Sequence, residues 1–163
     1  MKEDYDGAEP APSSVAALNL LRLGRMLGRP ELEETGRKTI EAFAAQWGRA
    51  PQAMPYMLTA LGMAVNTSRE IVLNGAFEHP EFEALRTEIN HRFLPDVVTV
   101  YAINGQVVPD GLFAGVAVES LIVARESKVP MARVCQDFAC RLPVSQPADL
   151  AELLIPISRR DVP

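Results

Sequence analysis

Positive charge is in short supply in this sequence. Lys and Arg number 16 against 21 Asp and Glu, a formal net charge of −5, with a pI near 5.1. A nucleic-acid partner needs a clustered basic surface, so that class is excluded. Arg22, Arg25 and Arg29 do lie close together, but Glu31, Glu33 and Glu34 follow at once, the pattern of a solvated helix face. Long apolar runs are missing too. The stretch from Val15 is interrupted by Asn19, Arg22 and Arg25, and nothing approaches the ~20 apolar residues that span a bilayer. At the start, Lys2 stands against Glu3, Asp4, Asp6 and Glu9, which is not the basic opening of a secretory signal. A soluble, cytoplasmic protein with no membrane partner is expected.

Cysteine is equally sparse: Cys135 and Cys140 alone make no disulfide scaffold. Zinc needs about four ligands, and the histidines are only His79 and His91. Asn74-Gly75 superficially suggests a phosphate-binding turn, but the G-x-G-x-x-G spacing is absent and Ala-Phe-Glu follows. No metal, nucleotide or other cofactor is expected.

What is present is ordinary globular material, 48% hydrophobic and 23% charged over 163 residues. That suffices for one domain, or two small units sharing a core. A first helix, capped by Ser13 or Ser14, is apolar almost all round through Val15, Leu18, Leu20, Leu21, Leu23, Met26 and Leu27, the mark of a buried helix. Gly28 ends it and Pro30 opens a second, with Leu32, Ile40, Phe43, Ala44 and Trp47 on one face. Glu33 with Arg37, and Glu34 with Lys38, are spaced for ion pairs on that helix. Gly48 closes it. A third helix follows Pro51, its regular part starting at Pro55, with Met54, Met57, Leu58, Leu61 and Val65 inward and Trp47 and Met63 in the core.

The period then changes. Arg69–Asn74 is a short strand ended by Gly75, Pro80 opens an amphipathic helix with Phe82, Leu85, Ile89 and Phe93 inward, and Val97–Ala102 is a second strand. That order gives a βαβ unit with parallel strands. Leu112–Arg125 is read as a helix. Ala132–Gln136 and Cys140–Leu142 form a hairpin with 137–139 at its tip, and a last helix starts near Pro147. The expected fold is α+β: a three-helix segment over 1–66, two helices of it an antiparallel hairpin, then a small α/β unit over 67–163.

Three segments together resemble one family. D-G-A-E-P (6–10) followed by S-V-A-A-L-N-L-L-R-L (14–23) looks like the start of a late helix in YyaL-type proteins. These are thioredoxin-domain-containing proteins related to a spermatogenesis-associated family. R-E-I-V-L-N (69–74) and V-C-Q-D-F-A-C-R-L-P-V (134–144) fall in the order of that family's C-terminal part. The resemblance implies a much larger parent: a thioredoxin-like domain, an α/α toroid like that of six-hairpin glycosidases and N-acylglucosamine 2-epimerases, then a small α/β end. This chain would supply the last toroid helices and the α/β end. It contains no C-x-x-C, and three helices cannot close a toroid.

In toroid enzymes the loops at helix ends line the central cavity, where two carboxylates can divide acid and base roles. The resemblance puts Asp6 and Glu9 at such a mouth, as candidate catalytic residues toward a carbohydrate-like ligand, with Tyr5 as a stacking platform. On their own the two acids read as loop residues near a helix N-terminus, where the dipole favours them, and Tyr5 as a partly buried aromatic. A catalytic pair needs a dry, shaped pocket. Cys135 and Cys140 read as reduced structural thiols; a disulfide or redox pair is open if the hairpin brings their Cα atoms within ~7 Å. His79 reads as a loop or cap residue and His91 as a surface helix residue. The expected function is a C-terminal structural module of the larger protein, without catalysis of its own. A carbohydrate-processing site using Asp6 and Glu9, hydrolase- or epimerase-like, and a dithiol interaction module using Cys135 and Cys140, are the alternatives. The expected partners are the remainder of the parent, or further copies of the chain, met through apolar helix faces.

Overall fold

The computed structural model describes residues 5–67, 69–103, 129–136 and 139–155. The helix expected over Leu112–Arg125 lies outside them. Helix α1 runs Pro12–Leu27. Proline holds the first position, where its missing N–H costs no bond, and Ala11 stands at the cap without a side-chain bond, so neither Ser13 nor Ser14 is the cap. Gly28 ends the helix in the left-handed region, φ 61°, and the Arg29 N–H closes on Gly24 O at 2.9 Å.

Helix α2, Pro30–Ala42, returns antiparallel against α1. Two glycines let the backbones approach. A Cβ on Gly24 would stand 2.9 Å from the Glu33 amide nitrogen, and one on Gly36 would stand 3.1 Å from Ala17 O. The expected single second helix is broken at Phe43, which turns its ring into the core, and resumes as α3, Ala44–Arg49. Trp47 packs on the same cluster and donates to Ile40 O at 3.2 Å. A 3₁₀ turn at Pro51–Ala53 leads to α4, Pro55–Val65, which begins at the second proline as expected.

Strand β1, Arg69–Gly75, lies parallel to β2, Val97–Ile103, across helix α5, Pro80–Asn90. Strand β3, Met131–Gln136, is antiparallel to β1, and β4, Ala139–Cys140, edges it, so the order is β2-β1-β3-β4. The βαβ unit and the hairpin both match expectation, except that the second arm is shorter and residues 137–138 separate the arms. Helix α6, Pro147–Leu153, completes the described elements: six α-helices and a four-stranded mixed sheet.

The sheet carries apolar side chains on both faces, as a central parallel strand should. Val72, Val98, Val100 and Ala102 pack with Ala17, Leu18, Leu21, Met57 and Met63 of α1 and α4. On the reverse face Ile71, Leu73, Ala132 and Val134 pack with Phe82, Leu85, Ile89, Leu150 and Leu154. One apolar cluster thus crosses from the helical segment into the sheet. Phe93 is not inward: it lies past the end of α5 and is 89% exposed. No described helix is long and apolar enough to cross a membrane.

Candidate functional site

Helix α4, PYMLTALGMAV, has no charged residue, so its unpaired N–H and C=O ends must be answered from elsewhere. Asp6 answers the first. Its backbone N–H binds Ala53 O at 2.8 Å, which fixes the carboxylate over the start of α4. There Oδ2 accepts from the amides of Tyr56 at 2.9 Å and Met57 at 3.1 Å, while Oδ1 accepts from Ala11 at 2.8 Å. The residue is 7% exposed. Both oxygens are therefore engaged with backbone, joining the starts of α1 and α4.

Two arginines answer the other end. Arg25 Nη2 donates to Met63 O and Arg37 Nη1 to Ala64 O, each at 2.6 Å. Arg25 is thus buried and no member of a solvated stripe. Desolvation lowers its pKa, against the opposing pull of Glu33, Glu70 and Asp96. Glu33 lies 3.9 Å from Arg25 Nε, and Asp96 lies 3.4 Å from Arg69. Arg37 therefore reaches across to α4, whereas the expected Glu34–Lys38 pair forms at 3.2 Å. This charged cluster sits at the N-terminal ends of the parallel strands, away from the carboxyl ends where open α/β sheets hold ligands. It was not foreseen, because nothing local distinguishes Arg25 from Arg22.

An open cleft lies over Asp6, lined by Gly7, Ala8, Pro10, Pro55, Tyr56 and Thr59. Glu9 is exposed and does not line it, and Tyr5 is 65% exposed, not partly buried as expected. A second cleft brings Arg69 and Arg141 beside Glu152 and the apolar Val134, Leu153 and Ile155, a mixed lining that favours no single charge. His79 caps α5 as expected, its Nδ1 accepting from the Glu81 amide at 3.3 Å, and His91 is exposed at the far end.

Cys135 and Cys140 stand directly opposite each other in the β3–β4 ladder and are joined by a disulfide, with Cα atoms 3.9 Å apart. The reduced thiols expected from the sequence are thus corrected to a bridged pair, because the ladder register brings the two residues face to face. Cys135 is buried and shares its sheet face with Glu70; Cys140 is exposed at the edge.

Over 96% of its length the chain is 31% identical to human spermatogenesis-associated protein 20. It is homologous to a part of that protein. The rat protein of the same name is 29% identical over 94% of the chain, and an uncharacterized Caenorhabditis elegans protein 30% identical over 94%. In each relative the match covers about a fifth of the length, 20%, 19% and 20% respectively. No family model matches the chain, and no solved structure matches it.

Proposed function

We propose that this chain is the C-terminal module of a larger thioredoxin-domain-containing protein of the spermatogenesis-associated kind, and that it performs no catalysis of its own. The observation that carries the reading is the disparity in coverage: 96% of this chain corresponds to 20% of its human relative. The surface of α1 supports it. Ser14, Ala17, Leu18, Leu21, Gly24 and Arg25 form its buried face. Ala16, Leu20, Leu23 and Leu27 form a second apolar stripe on the opposite side, spaced by four, three and four residues; Leu23 is 44% exposed. A helix apolar on both sides is one that packs between two neighbours. Here α2, α4 and the sheet supply one, and helices of the parent's toroid supply the other. Asp6 belongs to the fold in this reading, because its buried carboxylate already accepts three backbone N–H bonds that tie the start of α1 to the start of α4.

Light scattering after size exclusion, with a thermal melt on the same sample, tests the proposal. The isolated chain is expected to self-associate through the uncovered stripe, and Leu23→Glu to leave a monomer whose melting temperature moves by less than about 2 °C, as for a surface substitution. A chain that is monomeric at every concentration, and unaffected by Leu23→Glu, would sink the reading.

A further inference from the structure

The two cysteines close a very small ring, five positions apart in sequence, at the edge of the sheet. A staple holds what nothing else holds, and this bond is not in that position. The second arm is already tied to β3 by the Arg141 amide on Val134 O at 2.9 Å, and by the reciprocal Ala132–Val144 pair at 2.8 Å in each direction. From Ala132 to Cys135 is one residue fewer than from Val144 back to Cys140, so the arm carries a bulge between two anchored points. Neither cysteine belongs to either apolar cluster. Cutting the bond therefore leaves both cores and both anchors, with the thiols held facing each other and able to close again. The two ends also differ in access: Cys140 is exposed and Cys135 fully buried.

We infer that Cys135–Cys140 is a reversible redox site, opened by a dithiol reductant that attacks Sγ of Cys140. The reductant's thiolate bonds to that sulfur, the S–S bond breaks, and its electron pair leaves on Sγ of Cys135, which takes up a proton. The second thiol of the reductant then attacks the mixed disulfide and releases Cys140 as a thiol. In sum the chain gains two electrons and two protons, and the reductant departs as its own disulfide. This does not rest on the chain being part of a larger protein.

Dithiothreitol on the native chain, followed by maleimide labelling counted by mass spectrometry, tests it. The exposed Cys140 thiol is expected to label without denaturant, the buried Cys135 thiol to be counted once denaturant is added, and both to disappear again with glutathione disulfide. The far-UV circular dichroism should hold, and the melting temperature fall by no more than about 9 °C, the chain-entropy effect of so short a ring. Cys135→Ser should leave a Cys140 that labels at least about tenfold faster than the Cys135 left by Cys140→Ser, because only the first thiol is reachable. The double serine variant separates loss of the bond from loss of the fold and should melt as the reduced chain does. Labelling of Cys140 that needs denaturant, thiols that do not close again, or reduction that unfolds the chain would each overturn the inference.

Discussion

Removing the Asp6 carboxylate separates a structural role from a catalytic one. In Asp6→Ala three backbone amides lose their acceptor at once, two at the start of α4 and one at the start of α1. Loss of a helix cap costs about 1 kcal/mol and up to about 2. The Ala11 bond is buried and accepted by a carboxylate, and such bonds contribute about 1.5–3 kcal/mol. Together these give about 2.5–5 kcal/mol, with a fall in melting temperature of roughly 5–20 °C for a chain of this size. Asp6→Asn keeps one acceptor oxygen and should lose about half as much. Glu9, exposed and outside the cleft lining, provides the comparison: Glu9→Gln should stay within about 0.5 kcal/mol of the parent. Urea denaturation of the four proteins, read by circular dichroism, measures all three differences. If Asp6→Ala unfolded within about 0.5 kcal/mol of the parent, the carboxylate would not be tying α1 to α4, and a ligand-binding role for it would regain weight.

The same assay examines the other end of α4 and the middle of α1. Arg25→Met removes the donor to Met63 O and the positive charge that Glu33 and Glu70 face, so a loss of about 3–5 kcal/mol is expected; a loss below about 1 would mean that burial of the guanidinium is offset by little. Ser14 is fully buried in α1, and its hydroxyl has no hydrogen-bond partner among the described residues. Ser14→Ala should therefore stabilise the chain by about 0.5–1 kcal/mol through better helix propensity and an avoided desolvation. A clear destabilisation would point to a hidden acceptor.

Local chemistry determined most of the framework. Proline at 12, 30, 55, 80 and 147 opens five helices, because its fixed φ and missing N–H suit a first turn. Gly28 ends α1 because the left-handed region is open to it. Strand, helix, strand over 69–103 gives a parallel pair because a crossover of that length cannot make a hairpin. What the sequence by itself did not decide is where side chains go once elements pack. Glu33 and Arg37 have the spacing of a helix pair, yet the orphan carbonyls of α4 recruit Arg37 across the structure. Arg22 and Arg25 look alike along the chain, but only Arg25 lies on the face that α4 and the sheet enclose. Phe43 interrupts a continuous helical pattern because the core takes its ring at the expense of helix continuity. Asp6 follows the same rule: an acid near a helix start is readable, but the helix it caps begins about fifty positions later in sequence. Long-range caps such as Asp6, and buried charges such as Arg25, answer groups that become neighbours only on folding, so tertiary structure alone assigns them.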